Sequence, residues 1–248
     1  MNPSILARRR GGFVALLAGL ALATAVATGV VDTEHSPSAA HEAHSASHAT
    51  DGHATDSHAA EGHAARARTI SKARFHDQMR KLWEDHVTWT RLAIVTFADG
   101  SASFDATAGR LLRNQEDIGD AIKPYYGKAA GDQLTALLKD HITIAVRLLQ
   151  AAKDGDDAGF QQAHDDWYAN SDDIADFLAK ANRRSWPRDA MRAAMKTHLD
   201  QTLAEASHEL TGDYAASVAD YDEIHHHILM MADTLSRGIV RAFPHRFH

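Results

Sequence analysis

The phrase LWEDH at residues 82–86 decides the fold, because two related phrases follow it at nearly constant intervals. They are LLKDH at residues 137–141 and AMKTH at residues 194–198, and their final histidines are separated by 55 and 57 residues. Each histidine is followed 14 residues later by a glycine, at Gly100, Gly155 and Gly212. Self-similarity at a fixed period is typical of a repeated structural unit. The sequence therefore predicts three copies of one helical hairpin.

A second phrase, rich in amides and acids, follows each histidine phrase. It reads Asn114-Gln-Glu-Asp117-Ile118, then Asn170-Ser-Asp-Asp173-Ile174, and more loosely Asp220-Tyr-Asp-Glu223-Ile224. This phrase falls in the second helix of each predicted hairpin. We expect the three histidines to face the interior at similar heights, and each to approach an acid or an amide of the second phrase.

The helices themselves are predicted from apolar residues that recur at spacings of three and four after Ser71. In the first helix Arg91 lies off the apolar stripe, whose members are Met79, Leu82, Trp83, His86, Thr90, Ile94 and Phe97. The first helix is predicted to end at residues 99–100, and the others to span about 104–122, 132–153, 157–181, 187–212 and 213–243. No alternating run indicates a strand. The fold class is therefore all-α, an up-and-down bundle of about six helices.

The N-terminal residues 1–31 have the layout of a signal peptide. Arg8, Arg9 and Arg10 precede an uncharged run of small and aliphatic residues, with small-residue cleavage sites at 23–25 and 27–29. An uncleaved membrane anchor is the alternative, since the run is just long enough to span a bilayer. Its alanine, glycine and threonine dilute the hydrophobicity and favour cleavage. The sequence predicts an exported protein, either secreted, periplasmic or at the cell surface, with no stable membrane insertion after cleavage.

Residues 32–70 have almost no large apolar side chain and predict a disordered tether, which precedes a helical domain over 71–248. The tether contains seven histidines at short spacings, His35, His41, His44, His48, His53, His58 and His63. Several imidazoles at such spacings are suited to Zn²⁺, Cu²⁺ or Ni²⁺. The alternative is a solvated linker that is histidine-rich by composition alone.

Composition excludes two further classes. The chain has no cysteine, so an exported protein of this kind has no disulfide framework and depends on its core. The formal net charge is −7, and loss of the three arginines with the signal peptide makes it more negative. An acidic surface argues against a nucleic-acid partner, which needs a basic footprint.

The repeated polar phrases suggest a metal site inside the bundle. His86, His141 and His198 would supply nitrogen, and Asp117, Asp173 or Glu223 would supply oxygen, a mixture that suits zinc, iron or manganese. Glu223-x-x-His226, with His225 and His227 beside it, is a single copy of the motif that ferritin-like proteins carry twice, so a di-iron oxidase is not expected. A mononuclear site, or one near residues 225–227 alone, is the remaining form of metal site. The alternative is that the histidines are core residues whose hydrogen bonds are satisfied by the second phrase.

An enzyme remains a second class of function. A metal-dependent enzyme would need an open coordination position in a cleft reached by solvent, whereas a structural or storage site is closed. No cysteine nucleophile and no Gly-x-Ser-x-Gly elbow is present. No catalytic residue and no organic cofactor is therefore assigned.

Four segments resemble a family of exported bacterial helical proteins of unestablished role. They are LWEDHVTWTR at 82–91, RLLRNQEDIGDAIKPYYG at 110–127, WYANSDDIA at 167–175 and ILMMADTLSRGIVRAFP at 228–244. The resemblance covers about residues 81–247 and implies a helical fold and export. Some members carry the label acetylglutamate kinase or glycosyltransferase. Those activities are not carried over, because this chain has no Gly-rich phosphate loop and no βαβ pattern.

Overall fold

The computed structural model describes residues 69–248, which form six α-helices and one short 3₁₀ turn. The helices are α1 (Lys72–Ala98), α2 (Phe104–Tyr126), α3 (Lys128–Asp154), α4 (Asp157–Ala181), α5 (Arg188–Thr211) and α6 (Tyr214–Ala242). The turn spans Pro244–Arg246. Within the described residues there is no β-strand, so the predicted all-α fold is confirmed. The predicted signal peptide and the seven histidines of the tether lie outside the described residues.

Each helix packs against the next one along the chain, and α1 packs against α6, so the neighbours form a closed ring. Short connections force consecutive helices to run antiparallel, which gives the predicted up-and-down order. Helix α1 also touches α5 across the ring. Helices α1 and α5 therefore meet in the interior, where the repeated histidines lie.

Glycines and aspartates divide the chain into helices. Gly155 and Gly212 adopt left-handed backbone conformations, with φ of 69° and 79°, directly after α3 and α5. Asp156 and Asp213 then accept hydrogen bonds from backbone N–H groups in the first turns of α4 and α6. A left-handed glycine and an acidic N-cap satisfy the backbone groups that a helix end leaves free. These glycine–aspartate pairs explain why the ends of α3 and α5 and the starts of α4 and α6 lie within one residue of their predicted positions.

The junction between α2 and α3 differs from the prediction. Helix α2 continues through Pro124 to Tyr126, and α3 begins at Lys128, so one residue, Gly127, makes the connection. The extra turn of α2 is held by aromatic packing, since Tyr125 lies 5.2 Å from Phe75 between ring centroids. Tertiary packing therefore overrides the proline, which by itself disfavours a helix interior.

The two ends of the described chain are joined. Ile70 N–H donates to the Arg246 carbonyl at 3.2 Å, and His248 N–H donates to the Ile70 carbonyl at 3.2 Å. Phe247 is buried against the rings of Phe75 and Tyr125. The residues that lead into α1 are thus held by the last residues of the chain.

Helices α2 and α3 approach most closely where two glycines face each other. A β-carbon added to Gly119 would lie 2.7 Å from the Gly131 carbonyl oxygen, and one added to Gly131 would lie 2.6 Å from the Gly119 carbonyl oxygen. Real Cβ atoms do not come so close to a backbone oxygen, so a side chain at either position would force the helices apart. Gly109, on the same helix, has open space around it.

This difference gives a matched test on one helix. Gly119→Ala should lower the free energy of unfolding by about 1–3 kcal/mol through overpacking. Gly109→Ala should leave it unchanged or raise it by up to about 1 kcal/mol, because alanine is the better helix former. Urea unfolding of both variants measures the two values. Equal effects would contradict the close helix approach.

Candidate functional site

The three repeated histidines lie together in the interior. His86 in α1, His141 in α3 and His198 in α5 are only 3%, 3% and 4% exposed. All three line one cavity of about 50 Å³, whose other walls are mainly aliphatic side chains. The ring centroids of His86 and His198 are 5.6 Å apart. The predicted interior position of the three histidines is therefore confirmed, and the fold brings them to a common space.

The most complete polar contact belongs to His141. The Asn170 side chain donates from Nδ2 to the Leu137 carbonyl at 3.1 Å, and its Oδ1 lies 2.9 Å from His141 Nδ1. Because an amide oxygen only accepts, His141 must carry its proton on Nδ1. Its Nε2 therefore holds the lone pair, and no hydrogen bond within the described residues uses that atom.

His86 makes a related contact of opposite polarity. Asn114 Nδ2 donates to the Leu82 carbonyl at 3.0 Å, and the neighbouring Gln115 Nε2 lies 3.3 Å from His86 Nδ1. Gln115 Nε2 also donates to the Leu111 carbonyl at 2.8 Å, which orients the amide. Since an amide nitrogen only donates, His86 Nδ1 accepts and its proton lies on Nε2.

The third contact corrects the predicted pairing. The partners of His86 and His141, Gln115 and Asn170, each lie 29 residues further along the chain. The same offset from His198 leads to His227, whose Nε2 donates to the Ala194 carbonyl at 2.9 Å. The prediction that an acid at 220 or 223 approaches His198 is wrong, because those positions were aligned by acidity and not by this offset. His198 Nδ1 is left buried without a partner.

One backbone contact recurs in all three places. In each case the carbonyl oxygen four residues before the buried histidine accepts a hydrogen bond from the opposite helix. The three pairs are Leu82 with Asn114, Leu137 with Asn170, and Ala194 with His227. The polar side chains thus tie each odd helix to the helix that follows it.

The predicted acidic ligands do not join the histidines. Asp117 is 52% exposed and lies 3.6 Å from Arg110, and Asp173, Glu223 and His226 are also exposed. Asp220 is paired with His208 at 2.6 Å. Within residues 69–248, no group of three or more His, Cys, Asp or Glu side chains is arranged to hold a metal ion. The three histidines therefore share a cavity, but the predicted mixed site of imidazoles and carboxylates is not assembled.

Burial keeps the three imidazoles neutral. It lowers the pKa of His86 to about 3 and that of His141 to about 4, and it lowers the pKa of His198 well below 6.5. Repulsion from His141 adds to the effect on His86, and repulsion from His86, His141 and His227 adds to the effect on His198. A neutral imidazole is the form that binds metal.

A buried charged cluster beside the cavity was missed from the sequence. Arg91 lies 2.9 Å from Glu205 and 3.3 Å from Glu209, and the two glutamate side chains are only 1% and 4% exposed. The Ser217 hydroxyl donates to Glu209 at 2.6 Å and also accepts from Arg91. Arg91 was predicted only to lie off the apolar stripe of α1, and its guanidinium group reaches the buried glutamates of α5 and Ser217 of α6.

One arginine faces two glutamates in this cluster. Burial raises the pKa of Glu205 to about 7, although Arg91 opposes the shift, and repulsion from Glu209 and Asp220 adds to it. A usable sequence signal did exist, since His198, Thr202, Glu205 and Glu209 follow one another at helical spacing along α5. All four are buried. Helix α5 thus presents a polar stripe to the interior.

Comparisons with protein-family models, with curated proteins and with solved structures give no match for this chain. The function is therefore inferred from the geometry of the site. Among the described residues, no helix combines the length and the apolar character needed to cross a membrane.

The buried histidines should make stability depend on pH. Between about pH 4 and 6.5 the folded state binds fewer protons at these rings than the unfolded state, so the stability that they contribute is lost as the pH falls below 6.5. Glu205 acts in the opposite sense between pH 4.5 and 7, because its folded pKa is raised. In EDTA, His141→Gln should reduce the loss of unfolding free energy between pH 6.5 and 5 by about 2 kcal/mol. Parallel pH curves for the two proteins would contradict a neutral buried His141.

The charged cluster gives a second stability test. Arg91→Met should cost about 3–5 kcal/mol at pH 7.5, because it leaves buried carboxylates without their partner. Adding Glu205→Gln should restore part of that loss. The exposed pair Lys81–Asp85 serves as the control, and Lys81→Ala should cost less than about 1 kcal/mol. Chemical denaturation of the wild type, the two single variants Arg91→Met and Glu205→Gln, the double variant and Lys81→Ala measures the coupling, and strictly additive effects would contradict it.

Proposed function

We propose that this chain is an exported, non-enzymatic protein that binds divalent transition metal through the imidazoles of its helical core and through its histidine-rich tether. The observation that supports the core site is the convergence of His86, His141 and His198 on one buried cavity. Nitrogen donors of this type suit Zn²⁺, Cu²⁺ and Ni²⁺, and also iron and manganese where oxygen joins them.

The accessible nitrogen atoms support this choice. No hydrogen bond of the described residues uses the Nε2 of any of the three rings, and these atoms are not sealed off as His198 Nδ1 is. The three residues that carry these atoms line one cavity, which is large enough for an ion or for a few water molecules.

Ligation requires one rearrangement. His86 carries its proton on Nε2, so it binds metal through that atom only after the proton moves to Nδ1. Rotation of the Gln115 amide would place Oε1 where it accepts the Nδ1 proton, at the cost of the hydrogen bond from Nε2 to the Leu111 carbonyl. His141 is already in the required tautomer, because Asn170 accepts from its Nδ1. Such hydrogen bonds from the outer ring nitrogen are usual for metal-bound histidine.

Burial favours a closed site over a catalytic one. A metal enzyme needs a coordination position that solvent and substrate reach, and the three rings are each less than 5% exposed. A purely structural role is the competing interpretation, and the hydrogen bond from His141 Nδ1 to Asn170 favours it at that position. The buried Nδ1 of His198 lacks a partner in either role, at a cost of about 1–3 kcal/mol.

The core site is tested in the full-length chain with the seven tether histidines replaced by serine. After loading with Zn²⁺ or Co²⁺ and dialysis, about one ion per chain should remain, and saturating metal should raise the melting temperature by linkage. His198→Gln should abolish both effects. His208→Gln, on the same helix but paired with Asp220 at the surface, is the control and should leave both unchanged.

Retention of the ion by the His198→Gln variant, or no retention by its parent, would reject the core metal site and leave only hydrogen-bonded core histidines. Comparing the unsubstituted tether with the serine version measures the tether separately. It should add weak binding that falls as the pH drops through about 6.5, because free imidazole must be neutral to bind metal.

Export has its own test. The intact mass of the protein recovered from outside the cytoplasm should correspond to cleavage between about residues 25 and 32. Recovery of a membrane-bound form that still begins at Met1 would instead support the uncleaved anchor.

A further inference from the structure

A second cavity lies between α5 and α6, and three of the six methionines of the chain line it. Its volume is about 130 Å³. Met191 comes from α5, and Met230 and Met231 come from α6 together with His227. Met230 is 48% exposed, so the cavity is reachable from solvent.

The spacing along each helix places these side chains on one face. Residues three and four apart are neighbours on a helix surface, so His227 is adjacent to both Met230 and Met231. On α5, Met191 lies three residues before Ala194, whose carbonyl accepts the hydrogen bond from His227. Three thioethers and one imidazole therefore surround the contact between the two helices.

The hydrogen bond of His227 determines which of its ring nitrogens carries the proton. Its Nε2 lies 2.9 Å from the Ala194 carbonyl oxygen, and a carbonyl oxygen only accepts, so the ring proton must be on Nε2. Nδ1 then holds the lone pair and makes no hydrogen bond within residues 69–248. A histidine whose outer nitrogen donates to a backbone carbonyl has the arrangement that metal-bound histidines generally show.

We propose that this cavity is a Cu(I) site, with the sulfur atoms of Met191, Met230 and Met231 and Nδ1 of His227 as ligands. Thioethers are soft ligands that select Cu(I), whereas Mg²⁺, Ca²⁺ and Mn²⁺ require oxygen. No carboxylate lines the cavity. The unbranched methionine side chain has three rotatable bonds, so the sulfur atoms adjust to an ion without movement of the helices.

This site is separate from the core histidines of the proposed function. It uses sulfur and one different imidazole, and it requires a monovalent ion. A protein that lacks the core site can possess it, and the reverse also holds. The two proposals therefore fail independently.

The test uses the full-length chain labelled with ¹³C at the methionine methyl groups and titrated with Cu(I) without oxygen. Cu(I) is diamagnetic, so each methyl signal remains observable, and Met→Leu variants assign the signals. The signals of Met191, Met230 and Met231 should move together up to saturation. Met79 and Met195, which are buried elsewhere in the core, are internal controls and should not move.

Competition with a chromophoric Cu(I) chelator gives the affinity. The triple variant Met191→Leu, Met230→Leu, Met231→Leu preserves volume and should weaken the high-affinity step by about tenfold or more. His227→Asn should weaken the same step, whereas Met195→Leu and His198→Gln should leave it intact. The single methionine variants give the same comparison if the triple variant folds poorly.

The proposal is overturned if the signals of Met191, Met230 and Met231 stay in place while the chain binds Cu(I), since the tether alone would then hold it. It is also overturned if all five described methionine signals move together. Loss of Zn²⁺ binding in His198→Gln with Cu(I) binding retained supports both proposals. Zn²⁺ binding retained in His198→Gln, together with Cu(I) binding lost in the triple variant, rejects the core site alone.

Discussion

The structure depends on how three buried imidazoles obtain hydrogen-bond partners. Each lies on a helix whose inward face is otherwise apolar, and a buried polar atom without a partner costs free energy. On the following helix a polar residue lies 29 positions after each histidine, at Gln115, Asn170 or His227. The same helices also supply a donor for the backbone carbonyl four residues before each histidine. These contacts set how each pair of helices is aligned.

The surroundings of His198 differ from those of His86 and His141. His227 occupies the position that Gln115 and Asn170 hold in the other two pairs of helices. It donates to the Ala194 carbonyl and makes no hydrogen bond with His198. His198 is thereby left with an unused Nδ1 beside the cavity. The same substitution places an imidazole next to the methionines between α5 and α6. His227 thus leaves His198 without a hydrogen-bond partner and adds a nitrogen atom to the neighbouring cavity.

Electrostatics divides the interior into two parts with opposite responses to acid. The histidines disfavour protonation because they are buried in an apolar cavity, while Glu205 favours it because it is buried and shares one arginine with Glu209. His198 and Glu205 belong to the polar stripe of α5, within about two turns of each other. Acid therefore lowers the stability that the histidines contribute and raises that contributed by Glu205.

The sequence by itself determined the helices and which side of them holds the histidines. Apolar periodicity, the glycines after His86, His141 and His198, and the capping aspartates are local signals, and the fold follows them closely. The tertiary structure alone decided the partners. Gln115 contacts His86, Arg91 pairs with Glu205, and neither Asp220 nor Glu223 contacts His198. Partner choice depends on which side chains meet across the packed helices, and a long arginine or a one-residue change in alignment alters that without altering the helical pattern.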